Sequence, residues 1–99
     1  MFEWEKKSNF EQVVGGVFYS TVDANLIGEA WANSLLPGDD WRNAIEKLYV
    51  SQNGRYFLVI FRGEAWKIRP VSKSDALTWA EDKRLSPDVI SRFFTIRAA

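Results

Sequence analysis

The sequence predicts an α+β fold: a small antiparallel sheet, built from an N-terminal hairpin plus a three-stranded meander, with helices mainly on one face. Three features point to it. Asn53-Gly54 separates two apolar runs between Leu48 and Phe61 (LYVSQNGRYFLVIF), and this pair readily takes the positive φ angles of a type I′ hairpin turn. Gly15-Gly16 divides Phe10 to Tyr19 (FEQVVGGVFY) in the same way. Ser72 and Ser86 each precede a stretch with helical apolar spacing.

In chain order, Met1 to Lys7 shows only an alternation of Phe2 and Trp4, which fits a weak edge strand or arm. Phe10 to Tyr19 reads as a strand pair, because two adjacent glycines inside a helix would cost roughly 2 kcal/mol relative to alanines. Thr21 then resembles an N-cap with Asp23 in the first turn. Ile27, Ala30, Trp31 and Leu35 follow with amphipathic spacing, predicting a helix from Val22 to Leu36 that ends at Pro37-Gly38. That helix is expected to pack Ile27, Trp31 and Leu35 on the sheet and to leave Asn25, Glu29 and Asn33 in water. In GDDWRNAIEK, Asp39 or Asp40 caps a single helical turn, or the segment is a loop leading to a strand from about Ile45 to Ser51; the loop is favoured.

The second strand of the central hairpin has no polar face. Tyr56, Leu58 and Ile60 point one way, and Phe57, Val59 and Phe61 the other. Burying such a set is worth on the order of 9 to 18 kcal/mol before entropy is subtracted, so the strand must be central and covered on both sides. Either the chain covers the second face itself, the favoured reading, or a partner does. Arg62-Gly63-Glu64 makes the next turn, and Ala65 to Val71 returns as a third strand with Trp66 and Ile68 on one face and Lys67 and Arg69 on the other. Pro70 cannot donate to a ladder, so that strand sits at an edge or ends there. Ser72 and Asp75 open a helix whose Ala76, Leu77 and Ala80 face the sheet, and Ser86-Pro87 opens a second short one carrying Val89, Ile90, Phe93 and Phe94. The final TIRAA is expected to fray.

The 99 residues fit a single domain, 1–99. The longest apolar run, Tyr56 to Phe61, is far too short for a membrane span or a signal-peptide core, which points to a cytoplasmic protein with no membrane partner. With neither Cys nor His, the usual triads, dyads and thiolate or imidazole metal sites are excluded. The expectation is a non-enzyme without cofactor or metal. Net charge is zero but uneven: residues 1–46 carry eight acids and three bases, and residues 47–99 ten bases and five acids. If the halves separate in space, one end attracts a basic partner and the other an anionic one. The favoured reading is that they interleave.

Two surface sites emerge. Glu29, Asp39, Asp40 and Glu46, with Trp41, form a candidate partner-binding acidic patch able to occupy a site built for phosphates. Turn and cap aspartates explain the same residues more simply, and the spacing is not that of an EF-hand loop. Alternatively, Arg55, Arg62, Lys67 and Arg69, interleaved with Tyr56, Phe57 and Trp66, could hold single-stranded nucleic acid by phosphate pairing and stacking. The glycine-rich aromatic signature of an RNA-binding sheet is missing, which makes direct nucleic-acid binding the weaker option. The five tryptophans exceed what so small a core requires, so some of Trp4, Trp41, Trp66 and Trp79 are expected at the surface.

GVFYSTVDANLI, LYVSQNGRYFLVIF and IRPVSKSDALTWAED together resemble a set of short bacterial proteins carried by plasmids, prophages and host chromosomes. Their pattern is G-x-x-Y-x-T-x-x-A, then L-Y-x-x-x-x-G-x-Y-F-L, then P-L-S-x-x-x-A-x-x-W-x-E. Gly16, Tyr19, Thr21, Ala24, Leu48, Tyr49, Gly54, Tyr56, Phe57, Leu58, Pro70, Ser72, Ala76, Trp79 and Glu81 occupy matching positions, and Val71 replaces the leucine. The likeness spans about residues 15 to 94. Each matching residue is explained as turn, cap or core, so the motif marks a fold rather than a site. The resemblance implies a non-enzymatic mobile-element protein that binds and blocks a host protein complex, in the manner of an anti-CRISPR inhibitor on its effector. The alternative is a nucleic-acid-binding regulatory or accessory protein. Either is compatible with a monomer or a homodimer, the latter using the apolar second face of the meander.

Overall fold

The computed structural model describes residues 9–32 and 44–99. Among them six strands precede two helices: β1 (Glu11–Val14), β2 (Val17–Ser20), β3 (Asn25–Trp31), β4 (Ile45–Val50), β5 (Tyr56–Arg62), β6 (Ala65–Val71), α1 (Lys73–Asp82) and α2 (Pro87–Phe93). The first two form a hairpin, and the other four an antiparallel sheet in the order β3-β4-β5-β6. The fold is therefore α+β, as the sequence predicts. The expected edge strand or arm of residues 1–7 and the segment around Asp39, Asp40 and Trp41 lie outside the described residues.

β5 is the centre. Leu58 and Ile60 join Ile27, Leu48, Ala76, Ala80 and Phe94 in one core beneath the helices, while Phe57, Val59 and Phe61 join Phe10, Tyr19 and Ile68 in a second core beneath the hairpin. Phe57 and Val59 are wholly buried. The chain thus covers both faces of β5 itself, and a homodimer built on that part of the second face would first have to displace its own hairpin. Phe10 packs edge-on against Phe61 and Trp66, with ring centroids 4.9 and 5.0 Å away.

The turns follow their local chemistry, with one exchange. Gly15 and Gly16 both have positive φ and join β1 to β2 in the two-residue geometry that requires it. At Asn53-Gly54 only Gly54 has positive φ, at 81°. The Gly54 amide donates to the Ser51 carbonyl at 2.9 Å and the Ser51 amide to the Arg55 carbonyl at 2.8 Å. This is a type I turn followed by a left-handed glycine, the three-residue hairpin loop, rather than the predicted type I′ turn. The Ser51 hydroxyl favours it by accepting from the Arg55 amide.

One predicted element is wrong. The segment expected as the helix Val22 to Leu36 contains β3, and its residues 33–36 lie outside the described region. The register between β3 and β4 shifts between Leu26 and Gly28, a β-bulge. The extra residue lets Ile27 and Ala30, three apart, share the helix-covered face, a spacing that mimics an amphipathic helix. Gly28 approaches α2's leading segment so closely that a Cβ there would lie 2.8 Å from the Leu85 side chain. Trp31, expected in the core with Ile27, faces the opposite side and is 62% exposed. Thr21 is no helix cap either: it is buried, its hydroxyl accepts from the Phe10 amide at 2.9 Å, and it ties the hairpin base together.

The C-terminal half follows expectation. Ser72 caps α1 by accepting from the Asp75 amide, and Ser86 caps α2 by accepting from the Val89 amide, with Pro87 at the first helical position. Ala76 and Ala80 press α1 onto the sheet without exposed surface. Pro70 lies on the edge strand β6, whose Ile68 amide donates to Gln12 Oε1 of the hairpin.

Candidate functional site

Among the described residues, the hairpin covers the β5–β6 half of one sheet face and leaves much of the β3–β4 half open. Cross-strand pairs place Leu26 beside Tyr49, Glu29 beside Lys47 and Trp31 beside Ile45. Leu26 and Trp31 are exposed, and Tyr49 and Ile45 half-buried. The result is a shelf of three rungs, apolar at each end and charged in the middle. Glu29 and Lys47 form an ion pair of 3.7 Å, and the Lys47 ammonium also lies 5.4 Å from the centre of the Phe61 ring. The Tyr49 phenol, stacked on Phe57, is held above its ordinary pKa first by burial and then by the negative charge of Glu29. Across the hairpin's outer surface, Val13 and Phe18 form a second exposed pair.

Among the described residues, the two members of the predicted acidic patch, Glu29 and Glu46, do not come together. Glu29 pairs with Lys47, the neighbour of Glu46, so the two carboxylates are one position and one strand apart and project from opposite sheet faces. Glu46 turns inward beneath α1. Its carboxylate accepts from the Trp79 indole at 3.1 Å and lies 3.8 Å from the Lys83 ammonium, which donates to the Trp31 carbonyl. Both side chains of that ion pair are nearly buried, at 12% and 11% exposure. Glu46 is thereby a structural carboxylate. Asp39, Asp40 and Trp41 lie outside the described residues. Among the described residues no three carboxylates gather into a group able to hold a metal ion.

The basic candidates divide. Arg62, Lys67 and Arg69 share the helix-side face at the β6 edge, whereas Arg55 sits in the loop at the other end of the sheet. The aromatics meant to stack bases are placed elsewhere: Tyr56 and Phe57 are buried, and Trp66 lies on the opposite face in the hairpin core. Among the described residues, the ion pairs Glu29–Lys47 and Glu46–Lys83 each join the acidic half of the sequence to the basic half. Trp66 and Trp79 are half-buried, and Trp31, which spacing assigned to the core, is the exposed tryptophan among the described residues.

A separate cleft of about 370 Å³ lies between α1, α2 and the C-terminal tail, lined by Leu77, Pro87, Ile90 and Ile96 with Glu81 and Arg97. It contains none of the predicted site residues. Among the described residues no helix is long and apolar enough to cross a membrane. No protein family, curated protein or solved structure matches the chain.

Proposed function

We propose that the chain is a non-enzymatic binding protein that docks on a host protein complex through the open β3–β4 shelf. One observation carries this reading: Trp31 and Leu26 stand exposed on β3 although the same sheet buries every apolar side chain of β5. Exposed aromatic and aliphatic side chains around a polar centre are what protein interfaces place at their anchors. The resemblance to mobile-element proteins makes a bacterial defence complex, and a CRISPR effector first, the partner to test. The experiment is capture from nuclease-treated host lysate by the parent chain and by Trp31→Ala and Leu26→Ser variants of matched stability. Stoichiometric capture by the parent, reduced at least tenfold in both variants, supports the reading. Equal capture by all three rejects the shelf as the docking surface.

Nucleic-acid binding through Arg62, Lys67 and Arg69 is the second reading, supported by their common face. It requires binding that falls steeply with salt and with replacement of these three residues. Absence of binding at low salt would end it.

A further inference from the structure

The shelf contains a depression of about 190 Å³ lined by Glu29, Ala30, Trp31 and Ile45. Small-molecule pockets start at roughly 300 Å³, so this one suits a single inserted side chain better than a metabolite. Its two working walls differ in chemistry. Trp31 presents an indole with 62% of the residue exposed, and Glu29, two positions earlier on the strand, has 61% of its side chain exposed. An aromatic face beside an accessible carboxylate attracts a cation that is also weakly hydrated.

Lys47 does not fill that role. Its side chain is only 24% exposed, and its ammonium is shared between a 3.7 Å contact to Glu29 and the Phe61 ring. A carboxylate has about four acceptor positions, so one such contact leaves Glu29 able to accept further hydrogen bonds. Its charge is also felt along the shelf, since it helps to hold the Tyr49 phenol in its protonated form.

We propose that this depression is a subsite for one arginine side chain of a partner protein, with the guanidinium stacked on Trp31 and hydrogen-bonded to the Glu29 carboxylate. The inference rests on the reading of the shelf as a docking surface and adds the chemistry of what docks there. Arginine fits better than lysine because its planar head can lie on the indole and still reach a carboxylate with two parallel N–H groups. A nucleic-acid phosphate is the wrong charge for Glu29.

The test uses the isotope-labelled full chain titrated with N-acetyl-arginine methylamide, and with its lysine and citrulline counterparts, followed by NMR. Citrulline keeps the shape of arginine and removes its charge. The arginine probe is expected to shift the Trp31 indole and the Glu29 and Ile45 amides saturably. Citrulline, or Glu29→Gln against arginine, should weaken binding about 5- to 30-fold. Equal binding of citrulline, lysine binding as tight as arginine, or shifts centred away from Trp31 would overturn the subsite. The two levels separate in the capture assay. Loss of capture in Trp31→Ala with full capture in Glu29→Gln keeps the docking reading and overturns the arginine subsite, whereas full capture in both variants overturns the docking reading itself.

Discussion

Replacing Glu46 tests whether this carboxylate belongs to the interior or to a binding patch. At 3.8 Å from Lys83, with both side chains nearly out of water, the pair is worth roughly 4 kcal/mol of gross attraction at an effective dielectric of about 20. Desolvation offsets much of that, so the pair's net value is small, but deleting one partner leaves the other buried and uncompensated. In Glu46→Ala the Trp79 indole also loses its acceptor, for which the unsatisfied donor costs about 1 to 3 kcal/mol. Lys83 keeps its bond to the Trp31 carbonyl, which limits the damage. The expected loss is about 2 to 4 kcal/mol, equivalent to a fall in melting temperature of about 10 to 30 °C for a domain this small. Glu46→Gln retains an acceptor for the indole and should lose about half as much. Urea titration followed by far-ultraviolet circular dichroism reads both, with an unchanged slope for each variant. A loss below about 0.5 kcal/mol in Glu46→Ala would mean a solvated carboxylate and no such cluster.

Phe57→Ala should cost about 3 to 5 kcal/mol in the same titration because its ring is wholly buried between Tyr19 and Tyr49, whereas Trp31→Ala should cost less than about 1 kcal/mol. Equal losses would contradict the placement of these two aromatics. Gly54→Ala, which forces a side chain to positive φ, should destabilise by about 1 kcal/mol, and Asn53→Ala by clearly less, since Asn53 does not have positive φ; similar losses would restore the type I′ turn. Tyr49 has a folded pKa above the unfolded value of about 10, so the folded chain holds this proton more tightly. Its contribution is complete below pH of about 10 and is lost as pH rises through the folded pKa. Urea midpoints should therefore fall less on the alkaline side in Tyr49→Phe than in the parent, and parallel curves would contradict the burial of the phenol.

The legible parts of the fold were those where one local rule acts alone. Ser72 and Ser86 announce their helices because a cap hydroxyl satisfies a backbone donor regardless of the rest of the chain. The unbroken apolar run of β5 announces a strand covered on both faces. β3 carries a helix-like signal because the bulge gives Ile27 and Ala30 a helical spacing, and only pairing with β4, remote in sequence, decides the matter. Gly28 was the available hint, since glycine is poor in a helix interior and useful where Leu85 packs closely. A helix over 22–36 puts Trp31 in the core and Glu29 on a helix that leads towards Glu46, whereas the β3–β4 register exposes Trp31 and sends the two carboxylates to opposite faces.

The docking account is tested most directly by hydrogen exchange of the chain alone and bound to whatever complex it captures. The account predicts added protection concentrated in β3 and β4, at residues 26–31 and 45–49, with α1, α2 and the β6 edge unchanged. Protection centred on Arg62, Lys67 and Arg69, or on the cleft between α1 and α2, with β3 and β4 exchanging as in the free chain, would contradict it.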